Sequence, residues 1–216
     1  MTVLTKTVIL DGARTAFGKF GGALSNLTAS DLGGVAIKEA LAKAGVNPEQ
    51  VDEVIMGTVL QAGQGQIPSR QAANKAGIPW NVQTETINKV CASGMRSVTM
   101  ADQIIRLGDE EVIVAGGMES MSNAPYYLPK GRFGLRMGDG QMVDGMIYDG
   151  LSCSFHPKRV HMGTYGNSTA ETFELSREKQ DEWSYRSHSR ALKAIESGIF
   201  AEEIVPVEIP QRKGDP

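Results

Sequence analysis

Short β-branched runs alternate with longer amphipathic ones through the first 120 residues, and glycine or proline marks nearly every switch. Residues 7–10 form an apolar, β-branched run ended by Asp11-Gly12. Ser30 is placed to cap a helix with Leu32, Val35, Ile37 and Leu41 near a 3.6 period, stopped at Gly45. Asn47-Pro48 restarts the chain as an N-cap followed by proline at the first helical position. A strand is predicted over 54–60, a short helix over 68–75 stopped by Gly77, and a second strand over 85–90. A helix follows at once over 92–107, with Met95, Val98, Ala101 and Ile105 as its apolar face and Gly108 as its stop. A strand over 111–115 ends in Gly116-Gly117. This alternation predicts an α/β layer on a largely parallel sheet.

The pattern fails over residues 122–165, where Gly, Met, Pro and Asp dominate and no period holds. A structureless stretch of that length is usually functional or disordered. Tyr126, Tyr127, Phe133, Leu135, Met142, Met146, Ile147 and Phe155 favour function, because a disordered segment is poorer in such residues. Ser176 then caps a helix running to about residue 196, before Gly198. A strand is predicted over 203–209, and the chain ends in a polar stretch, 211–216.

Composition serves mainly to exclude. The 25 glycines in 216 residues exceed the roughly 15 that ordinary usage of about 7% gives, which indicates sharp turns or places of close backbone approach. A formal charge of −3 gives no reason to expect a nucleic-acid or anionic-membrane partner. No apolar run approaches the roughly 20 residues of a membrane helix, and residues 1–8 lack the features of a signal peptide. Two cysteines are too few for a disulfide scaffold, so free thiols and a cytoplasmic location are expected.

Cys91 falls where the predicted second strand gives way to a helix. The first amides of a helix have no intrahelical acceptor and its dipole end is positive. A thiol there is expected to ionise below its free value of about 8.5 and to react with iodoacetamide faster than Cys153. Ala92, Ser93 and Gly94 leave room for a carbonyl, and the same amides are candidates to hold an oxyanion. This reads as a nucleophile that carries an acyl group as a thioester. Position alone leaves open a small buried hydrophobe, as free cysteine often is.

The string Asn88-Lys-Val-Cys-Ala-Ser-Gly94, with Met95-Arg96-Ser97 after it, resembles the nucleophile motif of the thiolases. Three further blocks resemble the family in its order. Gly57-Thr-Val-Leu-Gln-Ala-Gly63, with Gly65-Gln66 and Arg70-Gln-Ala-Ala73, is similar to the segment at the subunit interface. Ala115-Gly-Gly-Met-Glu-Ser-Met-Ser122 is similar to the block closing the first domain. Asp149-Gly-Leu151 and His161-Met-Gly163 are similar to the loop domain that covers coenzyme A.

The resemblance implies the thiolase fold, with an N-terminal α/β domain over 1–121 and an incomplete loop domain over 122–216. It implies acyl transfer through acyl-Cys91: two acetyl-CoA condense to acetoacetyl-CoA and CoA, or thiolysis runs the reverse way. Leu151, His161 and Met162 match positions along the pantetheine arm of CoA, which is substrate; no tightly bound cofactor is implied. Ala92 and the His161-Met162 pair resemble the short-chain enzymes more than the 3-ketoacyl-CoA thiolases of fatty-acid β-oxidation. Homodimers or homotetramers are the family's assemblies.

Two departures stand out. Thr164-Tyr-Gly-Asn-Ser168 replaces the Thr-Ala-Glu-Asn with which most members continue, so the covering loop is expected to differ. The Gly-His-Pro motif, the Cys-x-Gly motif and the Asn of the family's C-terminal half are absent from these residues. The sequence is thus expected to be an N-terminal piece, inactive alone, with a non-catalytic CoA- or acyl-binding module or a half-subunit as alternatives. Cys153, His156 and His161 lie within nine residues, but a structural zinc site needs a second paired element, so no metal is expected.

Overall fold

A computed structural model describes residues 6–210; the polar stretch 211–216 lies outside them. Three parallel strands, β1 (Glu53–Gly57), β2 (Gln83–Ile87) and β3 (Ile113–Gly117), form one sheet in the order β2-β1-β3. Helices α1 (Ala29–Ala44), α2 (Pro68–Lys75) and α3 (Ser93–Leu107) alternate with them, as the sequence pattern predicts.

Successive strand residues face opposite ways, and β1 is buried along its whole length. Val54 and Met56 join a core with Ile37 and Leu41 of α1 and Ala72 and Ala73 of α2. Gly57, on the other pleat, meets α3: a Cβ there would lie 2.6 Å from Ser93 Cβ and 2.7 Å from Gly94 N. Only glycine allows the helix so near the strand end. The stripe that α3 buries is therefore Ser93, Ser97 and Ala101. Of its predicted apolar face only Ala101 is buried; Met95 and Val98 are exposed. Close approach of small side chains to the glycine-rich strand ends outweighs the apolar moment of the helix.

Other boundaries shift as well. Thr28, not Ser30, caps α1, accepting from the Asp31 amide while Asp31 Oδ2 accepts from the Thr28 amide at 2.8 Å. Gly45 ends α1 with φ 66°. The helices α2 and α5 (Arg177–Glu196), the latter capped by Ser176, match expectation.

The strands predicted over 7–10 and 203–209 do not form; Val8, Ile9 and Leu10 are exposed. The bridge recorded for this part of the chain pairs Arg14 with Ile204. A β-branched run supplies propensity, but a ladder also needs a neighbouring strand in register.

Residues 122–165 hold a two-stranded antiparallel pair, β4 (Tyr126–Tyr127) and β5 (Val143–Asp144), then a π-helix, Met146–Leu151. An unanticipated helix, α4 (Met162–Thr172), follows. Its sequence contains Gly163 and Gly166 and several hydroxyl residues, all weak helix formers. The hydroxyls of Ser168, Thr169 and Thr172 donate to carbonyls four residues back.

Candidate active site

The junction between β2 and α3 is a short, fully tied loop. Asn88 Oδ1 accepts from the Val90 amide at 2.9 Å, and Asn88 Nδ2 donates to the Val59 carbonyl at 3.2 Å. Ser93 Oγ accepts from the Lys89 amide at 2.8 Å and donates to the Val90 carbonyl at 2.6 Å. Between these ties Val90 adopts φ 49°, a left-handed conformation costly for a β-branched residue. Cys91 comes next and is exposed. That exposure removes the reading of Cys91 as a buried hydrophobe.

The structure narrows one part of the sequence reading. The Ala92 and Ser93 amides donate to the Lys89 and Val90 carbonyls, each at 3.1 Å. These two amides are already engaged and are not the ones to hold an oxyanion.

Cys91 opens on a cavity of about 600 Å³, within the range of about 300–1,000 Å³ usual for small-molecule sites. Its walls come from residues 13–20, the turn after β1, the end of β3 with Met118–Ser122, and Met146, Gly150 and Leu151 of the π-helix. Leu151 thus shares a cavity with Cys91. His161 and Met162 are not among its lining residues. His161 instead caps α4, its Nδ1 accepting from the Gly163 amide at 3.0 Å, and Met162 is 52% exposed. A bridge between His161 and Ser152 nevertheless seats His161 beside the residue that follows Leu151.

Glu119 is a wall residue that sequence reasoning did not single out. Its carboxylate accepts from Thr58 Oγ1 at 3.1 Å and from the Val59 and Leu60 amides at 2.8 and 3.2 Å. It thereby holds the turn after β1 against the end of β3. An acid two residues after the small run Ala115-Gly116-Gly117 at a strand end was the available signal. Asn88 and Ser93 belong to the string around Cys91, but nothing in the string itself marks them as the scaffold of the junction.

Cys153 lies outside the cavity lining and is half-buried. A hydrogen bond from the Tyr165 hydroxyl, then the Phe155 and His156 amides, holds its thiol below the usual value; the same bond raises Tyr165. Among the described residues no three His, Cys, Asp or Glu side chains gather as a metal site, and no helix is long and apolar enough to cross a membrane.

Comparison with known proteins bears on the whole of this arrangement. Residues 7–216 match the family described as thiolase, N-terminal domain. An acetyl-CoA acetyltransferase of Cupriavidus necator is 54% identical over 213 residues, covering 99% of this chain and 54% of that protein. An acetyl-CoA acetyltransferase of Thiocystis violacea is 50% identical over 209 residues, 97% of this chain and 52% of that protein. A probable acetyl-CoA acyltransferase of Staphylococcus aureus is 46% identical over 213 residues, 99% of this chain and 54% of that protein. The chain spans about half the length of the curated relatives it matches.

Proposed function

The chain belongs to the thiolase family, through its N-terminal domain, and from that premise we propose that Cys91 is the nucleophile of an acyl transfer between coenzyme A thioesters. The observation that carries the reading is an exposed cysteine at a strained strand-to-helix junction, opening on a cavity of small-molecule size. Cys91 Sγ attacks the thioester carbonyl of acetyl-CoA or the 3-keto carbon of acetoacetyl-CoA. The new bond is sulfur to acyl carbon. The bond broken is acyl carbon to CoA sulfur in acetyl-CoA, or C2–C3 in acetoacetyl-CoA, and the Cys91 proton leaves on the departing CoA thiol or on the acetyl-CoA enolate carbon. In thiolysis a second CoA thiol then takes the acyl group and returns a proton to Cys91. In condensation an acetyl-CoA that has lost an α-proton does so, forming a carbon–carbon bond.

The division into an α/β domain over 1–121 and a CoA-covering loop domain over 122–216 belongs to the same proposal. Leu151, on the cavity wall, takes the inner part of the pantetheine arm. His161 and Met162 take the outer part, a role supported by the pairing of His161 with Ser152. Exposed Met95 and Val98 on α3 and Trp183 and Ile195 on α5 are apolar surface of the kind an assembly covers, which supports a homodimer or homotetramer.

The test uses the polypeptide encoded by the complete reading frame. Incubation with acetyl-CoA should place one acetyl group on Cys91 by peptide mass spectrometry. Cys91→Ser should lower acetoacetyl-CoA thiolysis at least about a thousandfold. Acetylation at another residue, or thiolysis surviving Cys91→Ser, overturns the assignment.

A further inference from the structure

The π-helix on the cavity wall is held by residues that do not themselves line the cavity. A π-helix is rare and frequently found at functional sites, and this one presents Met146, Gly150 and Leu151 to the cavity. That spacing of four and five residues suits its wider turn. Asp144 Oδ1 accepts from the Met146 amide at 2.9 Å, closing its first turn. On the side away from the cavity, Arg159 stacks 3.5 Å over the Tyr148 ring and donates to the Tyr148 carbonyl at 3.3 Å. The Tyr127 hydroxyl donates to Asp149 Oδ2 at 2.5 Å. The Tyr127 ring itself lies on Gly145, where a Cβ would stand 2.6 Å from Tyr127 Cζ. Gly145 is further tied by its amide to the Pro125 carbonyl at 3.1 Å.

We propose that Tyr127 is a positioning residue that, through Asp149, sets the distance of the Met146–Leu151 wall from Cys91 and so limits the length of acyl group the site accepts. Tyr127 is not among the lining residues; its side chain reaches the helix that does line the cavity through the hydroxyl bond to Asp149 and the ring packed on Gly145. Asp149 follows Tyr148 and precedes Gly150, so a shift at Asp149 moves Gly150 and Leu151 with it. Leu60, itself a lining residue, packs on Gly150, where a Cβ would come within 3.2 Å of Leu60 Cδ2. The wall is thus held by this contact and by the Tyr127 tie. The bond also pushes the Tyr127 hydroxyl up to about 12, first by its hydrogen bond to Asp149, so it remains a donor across the working pH range. The inference rests on the acyl-transfer reading above for its substrate, though not for the tie itself.

The experiment compares wild type, Tyr127→Phe, Asp149→Asn, Asp149→Leu and the Phe/Leu double variant of the complete polypeptide. Two readouts are taken: the ratio of butyryl to acetyl transfer onto Cys91 from the two CoA thioesters, and amide hydrogen exchange over 146–151. Tyr127→Phe keeps the ring on Gly145 and loses only the hydroxyl. It should raise the butyryl-to-acetyl ratio about threefold or more and speed exchange about tenfold, as loss of one hydrogen bond allows. Asp149→Asn keeps an acceptor and should stay near wild type; Asp149→Leu should match Tyr127→Phe, and the double variant should be no worse than either. An unchanged ratio in Tyr127→Phe, or fully additive effects in the double variant, overturns the proposal. If wild type transfers no acyl group to Cys91, the functional reading fails. The tie is then judged on exchange alone: faster exchange in Tyr127→Phe and Asp149→Leu supports it, unchanged exchange overturns it.

Discussion

Cys91 stands exposed at the head of α3, whereas Cys153 is half-buried with a hydroxyl and two amides turned to its sulfur. Access favours the first and thiolate stabilisation the second. Access should dominate, so that Cys91 alkylates faster with iodoacetamide at pH 8, and mass spectrometry of the two peptides checks the order. The chemistry at Cys153 has its own signature. Removing the Tyr165 hydroxyl deletes the largest influence holding that thiol down, so in Tyr165→Phe the rate–pH profile of Cys153 should move to higher pH. The profile of Cys91 should not move. An unshifted Cys153 profile would mean that Tyr165 does not donate to it. The proposed nucleophile stands out in the sequence because the signals around Cys91, a strand-to-helix junction followed by small residues, are local. Its ties do not, since Asn88 reaches Val59 and Glu119 reaches Thr58 across separate strands.

Elements report the same division between local and distant causes. The bounds of α2 and α5 follow from Pro68 and Ser176, signals carried by neighbouring residues. The buried stripe of α3 depends on Gly57 and Gly117, which belong to other strands, and no periodicity within α3 reveals it. The start of α1 is held by a network with opposite acid behaviour from the start of β1. Burial works to raise the Asp31 carboxyl, but hydrogen bonds from Lys75 and Thr28 together outweigh it and hold it below 3.8. Its contribution to stability is present above that value and is lost as pH falls through the folded one. Glu53 is pushed above 4.5, first by burial and then by Glu85 and Glu110. Its penalty is absent below 4.5 and grows as pH rises toward the folded value. Urea unfolding should therefore find Asp31→Asn destabilised and Glu53→Gln stabilised at pH 7, with the Glu53→Gln gain gone at pH 4. Thr28→Ala should cost about 1 kcal/mol at neutral pH through loss of the cap.

Across the molecule, the cavity depends on contacts between segments nearly 200 positions apart, as the Arg14–Glu203 separation of 189 records. Arg14 Nη2 meets Glu203 Oε1 at 3.0 Å, and the guanidinium lies 4.9 Å from the Phe17 ring and 5.2 Å from that of Phe200. The Arg14 amide donates to the Glu203 carbonyl and the Arg14 carbonyl accepts from the Val205 amide, each at 2.9 Å, completing the clamp. Arg14→Ala should cost roughly 1–3 kcal/mol in urea unfolding, and Arg14→Lys should restore part of it, because an ammonium keeps the ion pair but not the planar stack. The catalytic capacity of the same 216 residues has a sharper limit. None of His156, His161 and His188 lines the cavity, and the carboxylate that does, Glu119, is already occupied by three donors. Cys91 thus has neither a histidine nor an unoccupied carboxylate among the described lining residues, and a positioned general base contributes about 10²–10⁴-fold. Residues 1–216 on their own should therefore give no multiple turnover with acetoacetyl-CoA and CoA. Robust thiolysis by this chain alone, abolished by Cys91→Ser, would show that a proton acceptor reaches the sulfur from within these residues.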